Sequence, residues 1–142
     1  MPAHRAILLV EDNKDDVFLM KRAMQSARIV NPLIVVESGE DAMEYLSGAG
    51  KFADRDSYPF PAVVFLDLKL PIVFGHDVLA WIRSQQAFES LVVIVLTSSY
   101  EASDLSRCYA LGANSYLVKP PTREQIESLV EAFKWPWVDY ER

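Results

Sequence analysis

Five short apolar runs separated by segments of helical spacing constrain this chain more than any other feature. The runs lie at residues 6–10, 33–36, 62–66, 91–96 and 115–118. They are rich in Val, Ile and Leu and too short for helices, which suits strands buried on both faces. Between them, apolar residues recur every three or four positions over 15–28, 75–85, 102–110 and 122–133. Val17, Met20, Met24 and Ala27 mark the first of these, and Ile126, Leu129, Val130 and Phe133 the last. A further helix is expected over 38–46, with Ser38 as its N-cap and Asp41 in an acidic first turn. Thr122 and Gln125 have capping-box spacing at the last helix. Alternation of this kind implies parallel strands joined by right-handed crossovers. The expected class is α/β: a doubly wound five-stranded parallel sheet with five helices.

One stretch breaks the pattern. Residues 47–61 carry two glycines, two prolines and several charges, and read as a long surface loop. The favoured reading is a tolerated insertion, because loop length costs little entropy, with a contact site as the alternative. The tail from Lys134 to Tyr140 holds three aromatic residues and is expected either to pack back on the domain or to form a dimer contact. No internal repeat and no second domain is visible. The chain reads as one domain over 1–142, with a core at 5–133 and an aromatic tail at 134–142.

Composition narrows the function classes. A net charge of -6 argues against a nucleic-acid or anionic-membrane surface. No apolar run approaches the roughly 20 residues of a membrane span. The single cysteine, Cys108, permits no internal disulfide, which suits a cytoplasmic location. Cys108 is expected to be a small buried helix residue, Trp81 a packing residue, and His4 and His76 solvent-facing.

In doubly wound sheets, ligands bind outside the carboxyl ends of the strands. The residues there are Glu11 and Asp12 after the first run, Asp67 after the third, Thr97 and Ser98 after the fourth, and Lys119 with Pro120 after the fifth. Each alone has an ordinary explanation as a helix-dipole partner, a turn former, a cap or a solvated charge. Together they deliver carboxylates, a hydroxyl and an ammonium to one rim. Crowded carboxylates call for a cation between them, and oxygen ligands favour a hard divalent ion such as Mg²⁺. A carboxylate is also a competent nucleophile for phosphoryl transfer. A metal and a lysine can neutralise the transferring group, and a hydroxyl can bond its oxygens.

These motifs resemble response-regulator receiver domains over residues 5–133. The resemblance is carried by Ile7-Leu8-Leu9-Val10-Glu11-Asp12, Phe65-Leu66-Asp67-Leu68-Lys69-Leu70-Pro71, Val95-Leu96-Thr97-Ser98 and Tyr116-Leu117-Val118-Lys119-Pro120. Gly75 and the turn Ala110-Leu111-Gly112-Ala113 also match. The resemblance implies a flavodoxin-like strand order, 2-1-3-4-5. It implies Asp67 as phospho-acceptor, and Asp12, Glu11, Asp67 and the Lys69 backbone carbonyl around Mg²⁺. Thr97 and Lys119 would contact the phosphoryl group. Thr97 and Tyr116 would form the switch, and Pro120 would follow a cis bond. Such a protein takes its phosphoryl group from a histidine kinase, assists its own transfer and dephosphorylation, and signals by protein contacts without an output domain. It is not otherwise an enzyme. The long loop, the Glu-Asp-Asn start and the extended tail are most similar to regulators paired with bacterial phytochromes. The downstream partner is unnamed, and homodimerisation stays open.

Lys69 departs from the Asn usual two places after the acceptor in that group, and its charge is expected to alter the lifetime of the phosphorylated state. The same residue argues against a haloacid-dehalogenase phosphatase, which needs a second Asp there. The acidic first loop argues against a flavin-phosphate cradle, which needs amides and hydroxyls. Lys14 and the missing central glycine argue against a calcium EF-hand.

Overall fold

The computed structural model describes residues 5–98 and 102–141. Five strands form one parallel sheet in the order β2-β1-β3-β4-β5. They are β1 (Ala6–Val10), β2 (Leu33–Val36), β3 (Pro61–Asp67), β4 (Val92–Thr97) and β5 (Ser115–Val118). The helices are α1 (Lys14–Ser26), α2 (Gly39–Ser47), α3 (Gly75–Ser84), α4 (Ala102–Ala110) and α5 (Arg123–Phe133). This is the doubly wound, flavodoxin-like arrangement expected from the sequence.

Side-chain alternation divides the core into two layers. Leu8, Val10, Val64, Leu66, Val93 and Val95 meet α2, α3 and Cys108 of α4 on one face. Ile7, Leu9, Val63, Phe65, Ile94, Leu96 and Leu117 meet α1 and α5 on the other. Every residue of β1 is buried, which explains its unbroken apolar run. Ser38 caps α2 by accepting from the Asp41 N–H, and Thr122 and Gln125 complete the capping box of α5. Two strands run one residue further than their apolar runs, to Asp67 and Thr97. Ladder hydrogen bonding, not hydrophobicity, defines where a strand ends. α1 stops at Ser26, short of the expected Arg28, which takes a left-handed φ of 62°.

The loop at 47–61 is a packed structure. It contains a short 3-10 turn at Gly50–Phe52, and Phe52 is buried against the rings of Tyr45 and Tyr58. The Tyr45 hydroxyl donates to the Pro59 carbonyl at 2.7 Å. Arg55 donates to the carbonyls of Tyr45, Leu46 and Tyr58. That guanidinium closes the C-terminal end of α2, whose last carbonyls lack helical partners.

The tail packs back on its own domain. Lys134 leaves α5 with a left-handed φ of 49°. Trp135, only 9% exposed, then stacks on Phe133 and meets Trp137 within the α1–α5 core layer. Buried Asn31 clamps the segment. Its amide nitrogen donates to the carbonyls of Arg5 and Trp137, and its oxygen accepts from the Asp139 N–H at 2.7 Å. Ile29 and Tyr140 form an antiparallel bridge. The tail therefore covers the end of the sheet away from the strand-end rim. Trp135→Ala is expected to cost about 3 kcal/mol of stability. Urea unfolding checks this, and a loss well under 1 kcal/mol would show that the stack is dispensable.

Candidate functional site

The carboxyl ends of β1, β3 and β5 meet in an open cleft of about 820 Å³. Its lining includes Glu11, Asp12, Asp16, Asp67, Lys69 and Lys119. Strand parity explains which groups meet. Glu11 continues the Ile7–Leu9 row, Asp67 the Val63–Phe65 row, and Lys119 follows Leu117 by two residues. All three rows face α1 and α5. Thr97 continues the opposite row of Val93 and Val95, toward α2, α3 and α4.

Glu11, Asp67 and Thr97 are buried, whereas Asp12 is exposed. The Lys119 ammonium lies 2.7 Å from Glu11 Oε2, 2.9 Å from Asp16 Oδ2 and 3.3 Å from Asp67 Oδ1. Burial pushes its pKa down, but the hydrogen bonds to Glu11 and Asp16 and the charge of Asp67 more than reverse this. Lys119 is held as a cation. Glu11 is pushed up to about 7, chiefly by burial and further by the Asp67 carboxylate, against the opposing bond from Lys119. The Lys119–Pro120 peptide is cis, as expected.

Carboxylate oxygens of Glu11, Asp12 and Asp67 lie within 4.8 Å of one another. An all-oxygen set of that span fits a hard divalent cation. Lys69 reaches the same cleft, and its backbone N–H donates to Asp67 Oδ1 at 3.1 Å. That bond orients the Asp67 carboxylate.

Gly75 is set by close approach. It opens α3 directly beneath the strand end, where its N–H donates to the Leu68 carbonyl. A Cβ there would strike the Asp67 carbonyl oxygen and come within 2.6 Å of Leu68 Cα. The intervening loop is strained. The Val73 N–H bonds the Pro71 carbonyl across Ile72, a β-branched residue at φ 65°.

A smaller cavity of about 170 Å³ lies on the other side of Asp67, lined by Lys69, Phe74, His76, Thr97 and Asp104 among others. His76 departs from the solvent-facing expectation. It is half-buried, its Nε2 has no hydrogen-bond partner, and burial, then Arg107, pull its pKa down. His4 lies outside the described residues. Tyr116 is half-buried on the Thr97 face, edge-on to Tyr109 of α4 at 6.1 Å. Cys108 is buried and Trp81 packs on Phe88, both as expected.

Asp16 is the site residue that the strand-end rule misses, because it comes from α1. Asn13 Oδ1 caps that helix by accepting the Asp16 N–H, and the Asn13 N–H donates to Glu11 Oε1. The first turn of α1 is thus tied to the carboxylate beside it.

Residues 7–131 match the family model for the response regulator receiver domain. The chain belongs to the response regulator receiver family. Receivers are phospho-acceptor switches of two-component systems. The probable methanogenesis regulatory protein FilR2 of Methanothrix harundinacea is 36% identical, covering 96% of this chain and 85% of its own. The structure of the bacteriophytochrome response regulator RtBRR superposes with a TM-score of 0.85 at 40% identity, over 98% of this receiver and 83% of that chain. Two further solved relatives are a phosphorylated cyanobacterial phytochrome response regulator, RcpA, and the Mn²⁺-bound form of Rcp1. They are 33% and 31% identical, with TM-scores of 0.77 and 0.76. RcpA matches 95% of this receiver and 94% of its own chain; Rcp1 matches 97% and 99%. Among the described residues no helix is long and apolar enough to cross a membrane.

The high pKa of Glu11 has a stability consequence. Its folded value of about 7 exceeds the ordinary 4.5, so the fold holds a proton that the unfolded chain releases. This contribution is complete below about pH 4.5 and lost as pH rises through about 7. Metal-free protein is expected to lose stability across that window, and Glu11→Gln to flatten the loss. Urea titrations in chelator would show this; equal slopes in the two proteins would contradict it.

Proposed function

We propose that Asp67 accepts a phosphoryl group from the phosphohistidine of a histidine kinase, and that its phosphorylated form changes which protein this receiver binds. The observation that carries the reading is the buried Asp67 carboxylate beside the Lys119 ammonium at 3.3 Å, within the carboxylate trio. An Asp67 oxygen attacks phosphorus, the phosphorus–nitrogen bond breaks, and the electron pair leaves on the imidazole. The Lys69 N–H holds the other carboxylate oxygen's side of the group in place, which reduces the orientational cost of attack. Lys119 supplies positive charge where phosphoryl oxygens arrive. Held by Glu11, Asp12, Asp67 and the Lys69 carbonyl, Mg²⁺ would neutralise the remaining charge.

The product adds about -1.5 to -2 charge at the end of β3. The Thr97 hydroxyl, in the small cavity that also reaches Asp67, turns to bond the new oxygens. Tyr116 lies on the same face and follows, altering its contact with Tyr109 and the surface of α4 and β5. The likeness to phytochrome-associated regulators supports a bacterial phytochrome as the kinase. Signalling of this kind takes place in the cytoplasm, and the lone cysteine is compatible with it.

Incubation with a small acyl phosphate and Mg²⁺ is expected to add one phosphoryl mass, lost in Asp67→Asn and on chelation. No adduct from acyl phosphate or any kinase would leave a receiver that binds without phosphorylation. The exposed Lys69 borders both cavities beside Asp67. Lys69→Asn is accordingly expected to change the phospho-Asp67 half-life severalfold, and equal half-lives would remove Lys69 from the account.

A further inference from the structure

Lys119 has three carboxylate partners, and only two of them belong to the trio that fits a metal. Glu11 and Asp67 are shared between the ammonium and the cation site; Asp16 is outside that set. A divalent cation and an ammonium competing for Glu11 and Asp67 repel each other at close range. Asp16 is then the carboxylate left to Lys119. Its place is fixed: the Asn13 cap binds the Asp16 N–H at 3.0 Å, and Asn13 is itself bonded to Glu11. The Lys119 side chain is 14% exposed and that of Asp16 30%, so the pair lies at the lip of the cleft, partly shielded from water.

We propose that Asp16 is a positioning residue, which holds the Lys119 ammonium at the rim when a divalent cation occupies Glu11, Asp12 and Asp67. The proposal rests on the reading of that trio as a metal site. Without Asp16, Lys119 would swing into solvent as the cation enters, and an incoming phosphoryl group would have to recruit it again. With Asp16, the positive charge waits beside Asp67, and the arriving oxygens need only draw it a short way.

The test uses ¹⁵N-labelled full-length protein and the Nζ resonance of Lys119, assigned by its loss in Lys119→Arg. An ammonium held in ion pairs gives an observable signal, and one free in water exchanges its protons away. In the native protein the signal is expected with and without Mg²⁺. In Asp16→Asn it is expected without Mg²⁺, where Glu11 and Asp67 still hold the group, and lost with Mg²⁺. Asp15→Asn removes the same charge from the same exposed turn and is expected to keep the signal throughout. At saturating Mg²⁺, phosphorylation by acyl phosphate is expected to slow about fivefold in Asp16→Asn only, the upper range for a partly exposed ion pair. A signal that survives Mg²⁺ in Asp16→Asn overturns the proposal, as does its loss in the native protein or in Asp15→Asn. Calorimetric Mg²⁺ titration of the same samples separates the two failures. Absent binding strikes the metal reading, whereas intact binding with a surviving signal strikes the role of Asp16 alone.

Discussion

One ammonium makes this strand-end site tolerable. Glu11 and Asp67 are buried carboxylates at the ends of neighbouring strands, and two such charges in a partly dry environment repel each other strongly. Lys119 arrives from β5 and sits within 3.3 Å of both, with Asp16 as its third partner. The pairing does not come free of desolvation, and burial holds the Glu11 pKa above the ordinary carboxylate range despite the Lys119 bond. A site assembled in this way is poised for positive charge. A metal ion would relieve what the lysine only partly relieves, and a phosphoryl group would give the lysine a new anion to hold.

The period of two along each strand sends the strand-end groups to two different faces of the sheet. Glu11, Asp67 and Lys119 fall on rows that face α1 and α5, where Asp16 joins them. Thr97 and Tyr116 fall on rows that face the other way, toward α4. Asp67 borders both cavities, one on each side of the strand end. A charge added at Asp67 would therefore meet the Lys119 ammonium and the carboxylate trio on one side and the Thr97 side of the strand end on the other. The collision awaiting any Cβ at Gly75 shows how closely α3 is pressed beneath this point.

Most of the fold was legible because β1, β3 and β4 are buried on both faces and must be apolar throughout. The same property hid their ends: Asp67 and Thr97 belong to their strands by hydrogen bonding, although their chemistry marks them as rim residues. The strand-end rule points to Glu11, Asp12, Asp67, Thr97 and Lys119, and the structure places them around one strand end, with Thr97 across Asp67 from the others. The rule could not find Asp16, since a helix residue's reach depends on how α1 lies against the sheet. The order of Asp15 and Asp16 in the sequence gives no sign that only the second touches Lys119. The loop at 47–61 reads as an insertion because its anchors show no periodicity: Phe52 is buried between two tyrosine rings, and a tyrosine hydroxyl and one guanidinium bind backbone carbonyls. The tail left two readings open, and Asn31, an unremarkable loop residue in sequence, is what ties it down. His76 is half-buried in the small cavity that Thr97 and Asp104 also line, a tertiary setting that its helical position does not reveal.

On the proposed reading, β1, β3 and β5 build one metal-dependent acceptor centred on Asp67. Crystals grown with Mn²⁺ and beryllium fluoride, a mimic of the bound phosphoryl group, test it most directly through the anomalous signal of manganese. A manganese peak is expected among Glu11, Asp12 and Asp67, with a tetrahedral beryllium fluoride group on an Asp67 oxygen and Lys119 against its fluorines. Manganese elsewhere, or a fluoride group attached to any other carboxylate, would contradict it.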